Sequence, residues 1–250
     1  HMHLLETPYQ AEYARRRTGQ SALKYIDKFG LLGPQLTIGH GVWMTEDDAD
    51  LLAESGGCLC HNCSSNLRLK SGKADLSSFL SKNIPIALGI DEAGINDDRD
   101  MLQEIRLAYT LHRRPGHSSR NPSAAEILRM ATEHGAASTP FSGKIGRLEK
   151  GLFADILLLD LHSLAFPYQD FDIPLLDIIV RRAKRKSVDT VIIDGNVVFN
   201  KGKFTRVDKD TLLEEISKVL SRAKTPEEVE LRELSEIIMP AVKNFYSGWY

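Results

Sequence analysis

Hydrophobic positions in the first hundred residues fall into short, nearly continuous runs. Three of these runs are bounded by turn residues and followed by stretches with helical spacing, a pattern typical of strands buried in a parallel sheet. Each run ends in an ionisable residue, which would lie at the carboxyl end of its strand, the edge that carries the chemistry in α/β folds. The runs are Leu36-Thr37-Ile38-Gly39-His40, Cys58-Leu59-Cys60-His61 and Ile86-Ala87-Leu88-Gly89-Ile90-Asp91.

A fourth unit of this kind opens the sequence as Met2-His3-Leu4-Leu5-Glu6-Thr7. From there strand and helix alternate four times, with Thr45 and Ser123 as expected N-caps of two helices and residues 62–66 as an expected polar loop. Four βα units are half of an eight-stranded barrel. The pattern therefore predicts an α/β fold in which residues 1–143 form half of a (β/α)8 barrel.

The pattern changes after Gly143. An apolar run at residues 155–160 and two more around Gly195-Asn196, a hairpin turn signal, predict strands. We expect residues 144–208 to be a small β unit, part of a β-sandwich. Residues 209–250 read as a helical C-terminal region, in which Thr225 caps a helix that has Pro226 at its first position.

Composition narrows the possible partners. The chain has 250 residues, with 32 basic and 34 acidic side chains and a formal charge of -2, so no electrostatic feature favours nucleic acid. No apolar run has the length needed to span a bilayer, and no signal peptide precedes the first strand. Three cysteines within six positions do not form a disulfide framework, and free thiols suit a cytoplasmic location.

Four residues at the predicted strand ends have the chemistry of a catalytic metal site. Imidazole nitrogens and carboxylate oxygens are ligands of zinc and iron, and a further carboxylate beside the ion could move protons. The candidates are His3, Glu6, His40 and Asp91.

The order of these motifs resembles the amidohydrolase superfamily. His-x-x-Glu, then Gly-His, then His-Asn-x-Ser-Ser-Asn, then Gly-Ile-Asp is similar to the branch of chlorotriazine hydrolases and nucleobase or adenosine-type deaminases. Two further stretches extend the resemblance over essentially the whole chain: residues 100–107, similar to a DM-x-x-E-x-R-L helix, and residues 146–155, similar to a G-x-L-x-x-G-x-x-A-D entry into a small β domain.

The resemblance implies a role for each candidate. His3 and Asp91 would bind one divalent metal, zinc in first place and iron as the alternative. Glu6 would shuttle protons, His40 would help to position the attacked group, and Asp91 would also take a proton from water. The substrate would be a small nitrogen heterocycle that loses ammonia, an amine or chloride. Residues expected to line its pocket are His61, Asn62, Ser65, Asn66 and Glu92.

Two departures from the family pattern shape the expectation. One is Gly89-Ile90-Asp91-Glu92, where related deaminases often have Gly-Thr-Asp-Gly, so that Glu92 adds a carboxylate at the predicted site and leaves the substrate open. The first-strand His-x-His pair of the family is missing, because His1-Met2-His3 precedes the Leu-Leu-Glu of a later strand. The four units would therefore be strands 5–8, and a half barrel would leave edges that favour association. We expect this chain to belong to a longer protein, with about 150 to 200 residues before His1 that complete the barrel, and to form a homo-oligomer.

Three other interpretations remain open at this stage. Cys58, Cys60 and Cys63 with His61 could form a structural zinc site, although strand alternation favours buried packing thiols. The chain could be a catalytically inactive barrel fragment or binding subunit. A phosphate-binding barrel would need a Gly-rich loop, for which residues 93–96 are a poor match.

Overall fold

The four apolar runs at the start of the chain form one parallel sheet. The computed structural model describes residues 1–92, 94–95, 98–116, 120–170 and 172–249. Neighbouring strands of this sheet follow the chain order, and their register pairs His3 with Gly39 and His61 with Leu88. The strands are β1 (Met2–Leu4), β2 (Thr37–His40), β3 (Cys58–His61) and β4 (Ile86–Leu88).

Helices fill the connections between these strands, as expected for βα units. Thr45 caps its helix as predicted, because its hydroxyl accepts from the Asp48 N–H and the Asp48 carboxylate accepts from the Thr45 N–H. The helices are α1 (Pro8–Thr18), α2 (Ala22–Asp27), α3 (Glu46–Ser55), α4 (Cys63–Arg68) and α5 (Leu76–Ser81).

Helix α4 corrects the prediction of a polar loop at residues 62–66. Its sequence, Cys-Ser-Ser-Asn-Leu-Arg, has weak helix propensity, and Ser and Asn side chains usually compete with helical hydrogen bonds. Here Cys63, Ser65 and Asn66 are buried and find partners in the fold, so tertiary contacts override local preference.

Three helices after β4 complete the packing around the sheet. Ser123 caps the second of them in a reciprocal capping box, as predicted, and the second and third pack against β4. Fully buried apolar side chains join sheet and helices in one core, including Ile38, Leu59, Ile86 and Ile127. The helices are α6 (Met101–Leu111), α7 (Ala124–Ala131) and α8 (Glu133–Ala137).

The second sheet is antiparallel and follows chain order. Its hairpin turn is Asp194-Gly195, one residue before the predicted position, and both residues have positive φ (48° and 74°), as a type I′ turn requires. The described strands of this region form one sheet rather than two packed sheets, so the predicted β-sandwich is not confirmed. The strands are β5 (Ile156–Leu159), β6 (Val188–Ile193), β7 (Asn196–Asn200) and β8 (Lys203–Phe204).

Two helices that the sequence interpretation missed lie between β5 and β6. They are α9 (Leu161–Ala165) and α10 (Leu175–Arg182), and a 3₁₀ turn at Arg185–Ser187 follows. Helix α10 packs on α6 and α7, and its Ile178 and Val180 belong to the same core as the parallel sheet. The range 144–208 therefore contains helices as well as strands, and part of it is packed with the first unit.

The C-terminal region is helical, as predicted. Helices α11 (Lys209–Leu220) and α12 (Pro226–Phe245) contain no buried residue, and Thr225 caps α12 with Pro226 at its first position. The aromatic pairs Tyr9–Tyr246 and Tyr13–Trp249 connect α1 with the end of the chain. Across the described ranges, no helix combines the length and apolar character needed to cross a membrane.

Candidate active site

Three predicted site residues meet at the carboxyl edge of the parallel sheet. The Nε2 atom of His40 lies 3.4 Å from His3 Nδ1 and 3.6 Å from Asp91 Oδ2, and His3 Nε2 lies 4.0 Å from Asp91 Oδ1. Each offers one ligand atom within 4.8 Å of the others. The side chains of His40 and Asp91 are 0% and 9% exposed, whereas that of His3 is 49% exposed. We call these three residues the rim cluster.

The backbone at these strand ends is strained. Leu5 directly after β1, His40 at the end of β2 and Asp91 beyond β4 have positive φ values of 53°, 72° and 62°. Residues other than glycine rarely adopt this conformation, and it costs on the order of 1–3 kcal/mol at each position. Such strain concentrates at functional sites, and here it recurs on three of the four parallel strands.

Glu6 lies beside the rim cluster without being one of its possible metal ligands. Its Oε2 atom is 3.8 Å from His40 Nε2, and its Oε1 atom accepts a 3.0 Å hydrogen bond from the Ser71 hydroxyl. The side chain is 16% exposed. Ser71 therefore holds one carboxylate oxygen while the other faces the imidazole, an arrangement suited to proton transfer rather than to coordination.

Helix α4 anchors the rim cluster from behind. The Ser65 hydroxyl donates a 2.6 Å hydrogen bond to Asp91 Oδ2, and His40 Nδ1 donates a 2.8 Å hydrogen bond to the Asn66 carbonyl oxygen. Because that oxygen can only accept, Nδ1 carries a hydrogen, and Nε2 is the ring nitrogen that faces His3 and Asp91. Ser65 and Asn66, predicted to line the pocket, hold two members of the cluster by these hydrogen bonds.

Asn62, another predicted pocket residue, packs under the strand that leads to Asp91. It is 2% exposed, and its Oδ1 atom accepts from the Cys60 thiol at 3.6 Å. A Cβ atom at Gly89 would come within 2.5 Å of that oxygen. Only glycine permits this close approach, so Asn62 and Gly89 together set the path of the backbone toward Asp91.

Glu92, also predicted to contact the substrate, is exposed. Its Oε1 atom accepts a 2.8 Å hydrogen bond from the Gly94 N–H, and a Cβ atom on Gly94 would meet both carboxylate oxygens. The carboxylate therefore closes a local turn directly after Asp91.

His61, another predicted pocket residue, is buried beside a second histidine and a cysteine. Its Nε2 atom lies 2.9 Å from His112 Nε2 and 3.0 Å from Cys63 Sγ, and the three residues are 1%, 3% and 0% exposed. We call them the buried cluster. Burial lowers the pKa of His61 to about 3 and that of His112 to about 4, so both imidazoles are neutral at pH 7. The sequence interpretation did not single out His112, because this residue lies outside every motif that was recognised in the sequence.

The zinc site suggested by three cysteines and His61 is not assembled in this form. Only Cys63 approaches His61, while Cys60 pairs with Asn62 and the Cys58 thiol donates to the Leu59 carbonyl oxygen at 3.6 Å. Burial raises the pKa of Cys58 to about 11 and that of Cys60 to about 12, so both are neutral thiols.

The donor set of the rim cluster fits a divalent transition metal. Two imidazoles and a carboxylate are the nitrogen and oxygen ligands that zinc and iron accept. Outer hydrogen bonds to ligands, of the kind made by Asn66 and Ser65, are a usual feature of such sites. Among the described residues His1 is not part of the ligand group.

Curated proteins that are similar in sequence to this chain are named as deaminases. The 5'-deoxyadenosine deaminase of Methanopyrus kandleri is 33% identical over 217 residues, which cover 85% of this chain and 48% of that enzyme. The 5-methylthioadenosine/S-adenosylhomocysteine deaminase of Acetivibrio thermocellus is 30% identical over 223 residues, or 89% of this chain and 51% of that protein. The chain spans about half the length of the curated relatives it matches.

Solved structures and a family profile complete the comparison. A zinc-bound adenosine deaminase from Xanthomonas campestris superposes with a TM-score of 0.80 at 29% identity, covering 86% of this chain and 48% of that one. An atrazine chlorohydrolase from Arthrobacter aurescens shares the fold, with a TM-score of 0.77 at 22% identity over 86% of this chain and 47% of its own. The profile described as "Amidohydrolase family" matches residues 1–198, and the chain accordingly belongs to the amidohydrolase family.

Proposed function

We propose that this chain carries part of the active site of an enzyme that hydrolytically deaminates an adenine-bearing nucleoside. Water replaces the exocyclic amino group of the ring, a carbonyl group forms, and ammonia leaves. The observation that carries the proposal is the convergence of His3, His40 and Asp91 beside Glu6 at one edge of the parallel sheet. The substrate class is supported by relatives named as deaminases of 5'-deoxyadenosine and 5-methylthioadenosine.

His3 and Asp91 would hold one divalent ion, for which the rim cluster has the right donors. Zinc is the preferred ion because the similar adenosine deaminase structure contains it. When bound, the ion would supply a Lewis acid that lowers the pKa of water and so provides a nucleophile near neutral pH. The Nε2 atom of His40 faces the same space, so this ring can orient the attacking water or the attacked group.

Proton transfer in this proposal belongs to the two carboxylates. Ser65 occupies Asp91 Oδ2, which leaves Oδ1 as the atom that takes the proton from the attacking water. Ser71 occupies Glu6 Oε1, which leaves Oε2 to give its proton to the heterocycle. The proton that Asp91 has taken from water then goes to the leaving amine, and the proton of the new hydroxyl group returns to Glu6 as the carbonyl group forms. Two carboxylates in distinct hydrogen-bonding environments can in this way act in turn as base and acid.

We propose further that the parallel sheet is the second half of a (β/α)8 barrel. Strands β1 and β4 each have one neighbour in the sheet of the described chain, whereas a closed barrel pairs every strand on both sides. The functional residues lie at the carboxyl edge, as in barrel enzymes. The other half of the barrel would supply the ligands that this chain lacks, and homo-oligomerisation remains a prediction.

The proposed reaction is tested by assaying the native protein for ammonia release from adenosine, 5'-deoxyadenosine, 5-methylthioadenosine and S-adenosylhomocysteine. Guanine, assayed for ammonia release, and atrazine, assayed for chloride release, are comparison substrates. We expect turnover of one or more adenine nucleosides, lost on chelation and recovered with zinc. Zinc-loaded protein that releases no ammonia from any of them would refute the proposal. The alternative of an inactive subunit has no support among the relatives, which are named as enzymes.

A further inference from the structure

The buried cluster gathers three metal-binding side chains from three different elements. His61 is the last residue of β3, Cys63 is the first residue of α4, and His112 directly follows α6. The ligand atoms of all three lie within 4.8 Å of one another, and none of the residues is more than 3% exposed. Nothing in the proposed deamination uses this group.

Hydrogen bonding alone does not account for this arrangement. A neutral imidazole nitrogen has either one lone pair or one N–H, yet His61 Nε2 is approached both by His112 Nε2 at 2.9 Å and by Cys63 Sγ at 3.0 Å. The other ring nitrogen, His61 Nδ1, is buried and has no hydrogen-bond partner in the described part of the chain. A shared ion would use one lone pair from each of the three side chains and remove the competition for His61 Nε2.

We propose that His61, Cys63 and His112 form a second metal site, structural in role, that takes a thiophilic ion such as Zn²⁺. Zinc binds thiolate sulfur at about 2.3 Å and imidazole nitrogen at about 2.0–2.1 Å. In tetrahedral geometry these bond lengths place neighbouring ligand atoms about 3.3–3.6 Å apart. The present separations of 2.9 and 3.0 Å reach that range after shifts of a few tenths of an ångström.

The charged groups that act on the buried cluster have both signs. The negative charge of Glu104 acts on the Cys63 sulfur, while the positive charges of Lys73 and Arg114 act on the His112 ring. Glu104 is 0% exposed, and its carboxylate accepts a 3.1 Å hydrogen bond from the Ser64 N–H. A Zn²⁺ ion would displace the thiol proton and bind the thiolate, which offsets one of its two charges.

The position of this site suggests what it does. Zinc would tie β3, α4 and α6 together at a point two residues before Ser65 and three before Asn66, which hold Asp91 and His40. The rim cluster has only nitrogen and oxygen donors, while the buried cluster includes a sulfur. The two sites can therefore be distinguished by the atoms around the ion.

The test is zinc X-ray absorption and metal counting on the native protein as purified. We expect a zinc–sulfur shell at about 2.3 Å and one more zinc per chain than the rim cluster alone would hold. Cys63→Ser should remove the sulfur shell and one zinc, and His112→Gln should lower zinc content in the same way. Cys58→Ser and Cys60→Ser are matched controls and should keep both.

The wild-type measurement decides the question even if the variants fail to fold. Zinc-replete protein without a sulfur scatterer would overturn the proposal, as would a Cys63→Ser variant with unchanged zinc content. Asp91→Asn provides an independent comparison, because it should lose the zinc with nitrogen and oxygen ligands while the sulfur shell remains. Since that measurement involves no substrate, its outcome is separate from that of the proposed deamination.

Discussion

The rim cluster and the buried cluster each combine two histidines with one further donor, but they differ in exposure. In the rim cluster, the side chain of His3 is half exposed, while those of His40 and Asp91 are 0% and 9% exposed. In the buried cluster, all three side chains are enclosed and one of the donors is a thiol. Catalytic metal sites keep a position open for water or substrate, whereas structural sites are closed. The exposed side chain of His3 and the thiol of Cys63 therefore distinguish the two clusters.

Helix α4 connects the two clusters. Its first residue, Cys63, belongs to the buried cluster, and its third and fourth residues, Ser65 and Asn66, hold Asp91 and His40. Rigid support behind a reactive group is what keeps its geometry within the narrow limits that catalysis requires. The comparison thus assigns chemistry to the rim cluster and support to α4 and the buried cluster, and the following substitutions test that division.

The largest effect is expected for Asp91→Asn. The substitution removes a charged ligand and the proposed proton acceptor at once, and a neutral amide is a poor ligand for zinc. We expect deaminase activity to fall below detection and metal affinity to drop. The measurement is kcat/KM together with zinc content. Asp172→Asn, an exposed site between α9 and α10, is the control for loss of one negative charge, and full activity of Asp91→Asn would exclude the assignment.

Glu6→Gln should abolish turnover while the metal stays bound. The amide keeps the size of the side chain and can still accept from Ser71, but it cannot carry a proton. Loss of general acid–base catalysis typically costs a factor of about 10² to 10⁴. We would measure kcat, zinc content and the pH profile together. Parallel loss of zinc and activity would make Glu6 a ligand instead of a proton carrier.

The residues of the rim cluster could be predicted from the sequence, because parallel strands give apolar runs whose last residues lie at one edge of the sheet. His3, His40 and Asp91 were found in this way, and the structure brings them together. The supporting roles of Ser65 and Asn66 could not be predicted. They depend on α4, whose polar sequence has low helix propensity and is helical only because the fold buries it.

The buried cluster shows a second limit of sequence interpretation. Cys63 and His61 are two residues apart and attract attention as a pair, but His112 lies 51 positions from His61. Contacts between elements so distant in sequence leave no local pattern in a single chain. Helices α9 and α10 were missed for a related reason, since they are short and lie in a region whose strands dominated the pattern.

Asn66→Ala should have an intermediate effect through His40. Without the carbonyl oxygen, His40 Nδ1 loses its acceptor, and the ring is no longer held in the orientation that directs Nε2 inward. Loss of such an outer hydrogen bond typically costs 10- to 100-fold in metal affinity or activity. We expect a fall in kcat/KM of about that size, with a shifted pH profile.

Asn66→Asp is the matched comparison, because it keeps an oxygen that accepts from Nδ1. We expect it to recover much of the activity that Asn66→Ala loses. If the two variants are equally impaired while their thermal stability equals that of the wild type, Asn66 does not act by holding the His40 ring.

The smallest effect is expected for Glu92→Gln, which defines the outer limit of the rim cluster. Glu92 is the next residue after Asp91, so sequence position alone suggests a part in substrate binding. In the structure its carboxylate accepts from the Gly94 N–H and is exposed, and an amide oxygen can make the same hydrogen bond.

Surface substitutions of this kind usually change free energies by no more than about 0.5 kcal/mol, a factor of about two in an equilibrium constant. We therefore expect kcat/KM and zinc content to stay within about twofold of the wild type. An increase of KM by an order of magnitude for one nucleoside but not another would show that Glu92 contacts substrate, and the rim cluster would then have to be extended to include it.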